Sequence, residues 1–226
     1  DDCAYGRYQR ARFAGSSGSR YGVDTYPGNG GGVIEIDTEA LTLDGMINVN
    51  GLTGYYIGGA GGSIHIEATA LAGKGQIHAN GSKNYSSYSN SERMSSAGSG
   101  GRISLTVNDI SAFSGEYSAA SGGQDIAGAG TVYIKNPAKA YGDLYVANAG
   151  QSAPFNSTPI RSVGRHTISG VDEVAPGVWR IEIEEVAWDV ADVSLDLGLA
   201  GIQVDLDAGE TSSTLYVVDT NTENTI

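Results

Sequence analysis

The stretch GGVIEI at residues 31–36 recurs along the chain as GGSIHI at 61–66, as GGRISL at 100–105 and, in weaker form, as AGTVYI at 129–134. Each copy alternates apolar and polar residues after an initial small residue, which is the pattern of a short β-strand. The second residue of each copy lies 30, 39 and 29 residues after that of the copy before it. A repeat of this length is too long for a hairpin and is typical of one turn of a stacked solenoid.

A second short strand is predicted at a nearly constant distance after each copy. These strands are GMINVNG at 45–51, GQIHANG at 75–81, GEYSAA at 115–120 and GDLYVA at 142–147. Because side chains alternate between the two faces of a strand, equivalent residues of successive coils are expected to stack in the interior. On the first sheet these are Ile34 and Ile36, Ile64 and Ile66, Ile103 and Leu105, and Val132 and Ile134; on the second they are Ile47 and Val49, Ile77 and Ala79, Tyr117 and Ala119, and Leu144 and Val146.

These strands predict an all-β fold, a parallel β-helix of four coils, with glycines at the corners providing positive φ and close backbone approach.

The pattern ends near Asn148, where the charge also changes. Residues 1–142 contain 12 Asp and Glu against 10 Lys and Arg, whereas residues 143–226 contain 14 against 3. We therefore divide the chain into a Gly-rich coil region with an irregular N-terminal lead-in, 1–148, and an acidic β-rich region, 149–226, which is a cap or the start of another module. Strands are expected there near 166–169, 178–186, 202–206 and 214–219.

Composition excludes several classes of protein. The chain has 34 Gly but only 5 Pro in 226 residues, which excludes collagen. A formal net charge of −13 argues against a nucleic-acid partner and against a polybasic membrane surface binder. The sequence contains no run of 18 apolar residues, so direct membrane insertion is not expected. The single cysteine, Cys3, cannot close an internal disulfide.

The order of the repeated blocks, from GGGVIEI at 30–36 to YGDLYVAN at 141–148, resembles a Gly-rich repeat region of very large bacterial secreted and cell-surface proteins, many of them adhesin-like. The resemblance covers about residues 16–148. It implies a right-handed parallel β-helix, located outside the cell or on its surface, that serves as a stalk or display surface beside neighbouring domains of a larger protein. It supplies no catalytic residue.

Extra length falls at one point of the repeat, in residues 52–60, 82–99 and 122–128, with the lead-in 14–30 at the equivalent place before the first coil. Insertions at one point of a repeat map to one face, so these segments are expected at one corner of the solenoid. They carry three pairs of tyrosines: Tyr21 and Tyr26, Tyr55 and Tyr56, and Tyr85 and Tyr88. Tyrosine gives large rigid contact area, so we interpret the pairs as a candidate surface for glycan or protein binding. The alternative is that the rings only pack over exposed glycine backbone.

Catalysis is the second hypothesis, because carboxylates and a histidine are expected side by side on the outer face of the first sheet. Glu35 and Asp37 should lie one coil from His65 and Glu67, at the strand spacing of roughly 4.8 Å. Two carboxyl groups near ~5 Å are used by retaining glycosidases, so the cluster fits a polysaccharide-degrading enzyme or a tailspike-like depolymerase. Outward positions of a solvated sheet are normally polar, however, and we favour that interpretation for the cluster and for His78.

Calcium is the metal that the sequence suggests, through Asp205, Asp207 and Glu210 of DLDAGE. Their spacing matches no EF-hand loop, and a solvated acidic face is the favoured interpretation, so no cofactor is assigned. Asn50 and Asn80 occupy the same position in two coils and are expected to form a structural ladder.

The sequence as a whole favours a noncatalytic structural or adhesive module. A filament-forming extracellular subunit is a further alternative, because an uncapped solenoid end exposes strand edges.

Overall fold

The computed structural model describes residues 7–19, 26–55, 57–83, 97–123, 127–139, 142–150, 158, 167–183, 203–205, 215–218, 221–222 and 225. Twelve strands and no helix are found in this part of the chain, which confirms the all-β prediction. The strands are β1 (Val33–Thr42), β2 (Met46–Asn48), β3 (Ser63–Ala72), β4 (Gln76–His78), β5 (Arg102–Asp109), β6 (Glu116–Ser118), β7 (Thr131–Lys135), β8 (Asp143–Tyr145), β9 (Ile168–Ala175), β10 (Val178–Ile183), β11 (Gln203–Asp205) and β12 (Leu215–Val217). Within these ranges no helix is long and apolar enough to cross a membrane.

A five-stranded sheet contains the four repeated blocks in the order β1-β3-β5-β7-β8. The first four strands are parallel and in register, so that Ile34, Ile64, Ile103 and Val132 lie beside one another in successive strands. This confirms the predicted stacking of like residues on the first sheet. It follows from the strict alternation of the repeat, since a shift by one residue would turn each aliphatic side chain to the other face.

The second sheet has three parallel strands in the order β2-β4-β6, with Ile47 opposite Ile77 and Ile77 opposite Tyr117. The predicted fourth member was wrong. Leu144 lies in β8, which instead pairs antiparallel with β7. The cause is a turn at Asn136-Pro137, where the Asn136 side chain accepts a hydrogen bond from the Ala138 amide at 2.8 Å and ends β7 early.

The core lies between the two sheets. Ile64, Ile66, Ile77, Ile103 and Leu105 are completely buried, whereas Ile34 and Ile36 of the first coil are only partly covered. Burying one large aliphatic side chain contributes roughly 1.5–3 kcal/mol, so the middle coils hold most of the stabilising apolar surface.

The four segments with extra length do meet, as predicted, although their described parts pack against one another instead of standing apart as loops. Backbone hydrogen bonds join Gly15 to Gly31, Ala60 to Ser16, Ser82 to Gly59 and Gly122 to Gly98, at 2.8–3.0 Å. We call the described residues of 14–32, 51–62, 81–83, 97–101 and 121–130 the glycine layer. Close approach, and not positive φ, explains most of its glycines, because the described positive-φ glycines are Gly73, Gly150 and Gly177, all outside the layer.

The chain divides into two compact units: Tyr8–Thr158, called the coil unit below, and a second made of Asp1–Arg7 with Pro159–Ile226. The second unit contains two antiparallel strand pairs, β9 with β10 and β11 with β12. All four C-terminal strands were expected. The first is longer than predicted, because β9 continues to Ala175 and pairs with β10 across a turn at Gly177. The domain boundary after Asn148 stays a prediction.

Candidate functional site

Residues 8–13, called the N-terminal segment below, lie against the outer face of the five-stranded sheet. The Ala11 amide donates a hydrogen bond to Ser104 Oγ at 3.0 Å, and Ser63 Oγ donates to the Phe13 carbonyl at 2.6 Å. At one end of the sheet the Tyr8 ring meets the Tyr133 ring edge to face, with centroids 5.2 Å apart. Burial raises the pKa of the Tyr133 phenol, and Tyr8 adds to the shift. The segment therefore contacts β3, β5 and β7, and its Arg10 side chain also reaches Glu35 of β1.

This covering corrects the expectation of a solvated outer face. The His65 residue is 2% exposed, and Ser63 and Ser104 are completely buried. The three side chains point away from the aliphatic core, as the alternation predicted, but protein and not water lies over them. Ser63 and Ser104 are small, which leaves room for the N-terminal segment on this face.

His65 is the centre of a chain of hydrogen bonds. Its Nδ1 lies 2.6 Å from Ser104 Oγ on the neighbouring strand, and its Nε2 lies 3.0 Å from Glu67 Oε1 on its own strand. Ser104 Oγ accepts a hydrogen bond from the Ala11 amide, so the Ser104 hydroxyl can donate its own hydrogen bond to His65 Nδ1. Nε2 then carries the ring proton and donates to Glu67, which assigns the tautomer from the hydrogen-bond network.

A serine, a histidine and a carboxylate in hydrogen-bond contact have the composition of an activated nucleophile with its base and orienting acid. Here the serine oxygen is completely buried and already bonded to Ala11 and His65. A substrate carbonyl has no access to it while the N-terminal segment is in place. The arrangement therefore connects two strands and the N-terminal segment.

The predicted carboxylate cluster is aligned but does not converge. Glu35 is opposite His65 and Asp37 is opposite Glu67 in the parallel register. The Glu35 carboxylate forms an ion pair with Arg10 at 3.1 Å, whereas Glu67 turns to His65. These two carboxylates thus have different partners. The register is as predicted, but the Glu35 and Glu67 carboxylates do not face one reacting centre.

The tyrosine surface is described in part. Tyr26 is 76% exposed and Tyr55 is 43% exposed, and the Tyr55 amide donates to the Tyr26 carbonyl at 2.8 Å. Tyr26 and Tyr55, two of the predicted binding residues, are 29 residues apart in the sequence but lie side by side in the fold. Tyr21, Tyr56, Tyr85 and Tyr88 lie outside the described residues.

The predicted asparagine ladder is confirmed. Asn50 Oδ1 accepts a hydrogen bond from the Asn80 amide at 2.6 Å, and Asn80 Oδ1 accepts from the Ala120 amide at 2.8 Å and from Ser118 Oγ at 2.6 Å. Asn148, which sequence reasoning missed, continues the pattern by accepting from the Ser121 amide at 2.7 Å. The available signal was that an Asn follows the second predicted strand in three of the four copies, at Asn50, Asn80 and Asn148. These amides join successive coils at one corner.

The described residues contain no group of three or more His, Cys, Asp or Glu side chains that could hold a metal ion. Of the residues suggested for calcium, Asp205 lies in β11, and Asp207 and Glu210 lie outside the described part of the chain. The calcium site stays a hypothesis. His78, on the outer face of the three-stranded sheet, is half-buried, with Nε2 4.0 Å from Glu116 Oε1.

Comparisons of the chain with protein-family models, curated proteins and solved structures gave no match.

Proposed function

We propose that the chain is a noncatalytic module of an exported bacterial surface protein, a right-handed parallel β-helix that presents binding residues on a rigid support. The supporting observation is the in-register stacking of parallel strands in two sheets over a fully buried aliphatic core. Parallel strands joined by a crossover in one sheet are right-handed in nearly all proteins, which supports the handedness.

Rigidity in this proposal comes from contacts that repeat in every coil. The first three coils bond to one another through both sheets and the asparagine ladder, and the fourth is joined to the third through the five-stranded sheet and the bond from the Ser121 amide to Asn148. The glycine layer adds backbone bonds between neighbouring coils. Moving one coil relative to the next requires breaking all of these bonds together. A support of this kind keeps the exposed tyrosines at constant spacing, which suits adhesion to a repeating partner such as a glycan chain.

The enzyme alternative has one observation in its favour, the hydrogen-bonded chain of Ser104, His65 and Glu67. The burial of Ser104 and the bond from Ala11 argue against it, because a nucleophile must reach its substrate. We therefore propose binding without turnover.

The test measures binding and turnover on the same samples. The full chain is incubated with neutral and acidic polysaccharides, and retention on the immobilised polymer is measured beside release of reducing ends and unsaturated products. We expect retention without product. Sustained product release that is lost in both His65→Ala and Glu67→Gln would overturn the noncatalytic assignment; Glu67→Gln guards against misfolding because the Glu67 side chain is half exposed.

Surface location is tested separately. Antibodies raised against the chain are expected to label intact cells of the source bacterium or material released from them. Labelling found only after the cells are permeabilised would overturn the proposed location.

A further inference from the structure

Three large side chains with substantial exposure lie on adjacent segments of the glycine layer. Tyr26 is 76% exposed, Leu52 59% and Tyr55 43%. We call these three residues the tyrosine platform. We propose that the platform binds an uncharged polysaccharide; this inference rests on the display function proposed above and names the class of ligand.

The backbone beneath the platform is held from several directions. The Tyr55 amide bonds the Tyr26 carbonyl at 2.8 Å, the Leu52 amide bonds the Asn29 carbonyl at 2.7 Å, and the Gly28 amide bonds the Ile57 carbonyl at 2.9 Å. A Cβ atom at Gly54 would overlap the Gly28 nitrogen and the Ile57 carbonyl oxygen. The two segments are therefore fixed relative to each other at a distance that only glycine allows. Such preorganisation lowers the ordering cost of binding.

The charge around the platform selects the class of sugar. Residues 26–32 and 51–62 contain no Asp, Glu, Lys, Arg or His, while the whole chain has a formal net charge of −13. An acidic polysaccharide would meet no cation on these segments to balance its charge. An uncharged sugar needs neither a counter-charge nor the removal of water from an ion. Its C–H faces can pack on the tyrosine rings, and its hydroxyl groups can bond phenol, amide and hydroxyl groups.

The size of the platform favours a glycan over a protein partner. A stable protein interface buries about 800 Å² on each side and involves roughly 20–30 residues of each partner. Arginine is enriched in such interfaces, and the platform segments contain none. Three exposed side chains instead match a few sugar units of a chain, and repeated weak contacts along a polymer can add up through multivalency.

The experiment is affinity electrophoresis of the full chain through gels containing dextran, mannan or mixed-linkage β-glucan as neutral polymers, and alginate or polygalacturonate as acidic ones. The test variant is Tyr26→Ala with Tyr55→Ala. The matched control is Tyr145→Ala, which removes a tyrosine that is 53% exposed in β8. A third variant, Gly54→Ala, keeps both rings but forces the segments beneath them apart. Thermal unfolding of each variant establishes that it is folded.

We expect retardation by at least one neutral polymer, a reduction of affinity of at least tenfold in the double variant and in Gly54→Ala, and no change in Tyr145→Ala. Neutral binding that is unaffected by the double variant would overturn the platform but leave adhesion by another surface. Preference for acidic polymers, or tyrosine-dependent capture of a protein with no glycan binding, would overturn the ligand class and leave display intact. Absence of all binding to polysaccharides and to intact cells would overturn both proposals.

Discussion

At the level of single residues, Ser104 joins three parts of the coil unit. Its hydroxyl bonds His65 on β3 and Ala11 in the N-terminal segment, while its backbone belongs to β5. No water reaches this buried oxygen, so a lost bond at this position is not replaced by solvent.

Replacing this side chain tests that role. Ser104→Ala leaves the Ala11 amide and His65 Nδ1 without their partner, and we expect the free energy of unfolding to fall by about 1–3 kcal/mol. The control is Ser111→Ala, at an exposed position bonded to Asp109 two residues away, with an expected change within about 0.5 kcal/mol. Urea denaturation measures both, and trypsin cleavage after Arg10 and Arg12 should accelerate only in Ser104→Ala. Equal effects of the two substitutions would contradict the assigned role.

The stability of the folded chain depends on pH through Tyr117, which lies in the second sheet. Its ring packs 5.2 Å from that of Phe113, and burial raises its pKa from 10.0 to about 12, with a further contribution from Tyr145. The folded state thus favours the neutral phenol. Its contribution to stability is complete below the unfolded pKa near pH 10 and is lost as the pH rises through about 12.

We therefore expect the native chain to lose stability more steeply between pH 10 and 12 than Tyr117→Phe, which has no proton to lose. Urea denaturation of both chains at intervals from pH 9 to 12 measures the two slopes. If the two stability profiles stay parallel over this range, the tyrosine does not titrate from a buried state.

At the level of elements, the glycine layer packs backbone against backbone where a core would normally use side chains. A Cβ at Gly31 would overlap the Val49 carbonyl and the Gly62 nitrogen, whereas a Cβ at the adjacent Gly32 would meet nothing within 4 Å. These two neighbouring glycines belong to the same sequence repeat, but a side chain fits at Gly32 and does not fit at Gly31.

Alanine substitutions at these two positions test whether a glycine is needed because the backbones approach closely or only because it makes the chain flexible. Gly31→Ala should destabilise the chain by about 1–3 kcal/mol, the usual cost of overpacking. Gly32→Ala should be neutral or stabilising by up to about 1 kcal/mol, because alanine restricts the unfolded chain. Midpoints of urea unfolding measure both changes. A similar loss in the two variants would mean that the glycines are required for another reason.

Strand β1 is the outermost strand of the five-stranded sheet and carries Glu35, Asp37 and Glu39 on its exposed positions. A free strand edge can pair with another chain, and charged side chains oppose this. The acidic residues are thus expected to keep coil ends apart.

Neutralising two of them tests this expectation and the filament alternative. Asp37→Asn with Glu39→Gln should raise the sedimentation coefficient with increasing protein concentration, while the control Glu116→Gln with Asp143→Asn, which removes the same charge elsewhere, should behave as the native chain. Equal association of both variants would assign the effect to net charge alone. Ordered filaments of the native chain would instead support the filament function.

At the level of the whole molecule, the parallel, in-register pairing of the repeated strands was predictable because each copy of the repeat carries the same local pattern. Ile34, Ile64 and Ile103 follow the same small-residue start, so their register needed no distant information. The position of Leu144 was mispredicted because its local pattern matched the repeat, while Asn136-Pro137 before it had already turned the chain. The repeat could not predict that the N-terminal segment covers His65. That contact depends on residues far apart in the sequence, since Ala11 and Ser104 are 93 residues apart.

The coil unit contains its own core, the five-stranded and three-stranded sheets, and the N-terminal segment that covers the five-stranded sheet, so we expect residues 8–158 to fold alone. This fragment should retain a β-type circular dichroism spectrum and unfold in one cooperative urea transition.

A matched fragment, residues 14–158, lacks the segment that bonds Ser63 and Ser104 and should unfold at a lower urea concentration, because His65 and Ser104 become exposed to water. A fragment 8–158 without a cooperative transition would show that the stacked coils depend on the rest of the chain. Equal midpoints for the two fragments would show that the N-terminal segment adds no stability to the sheet that it covers.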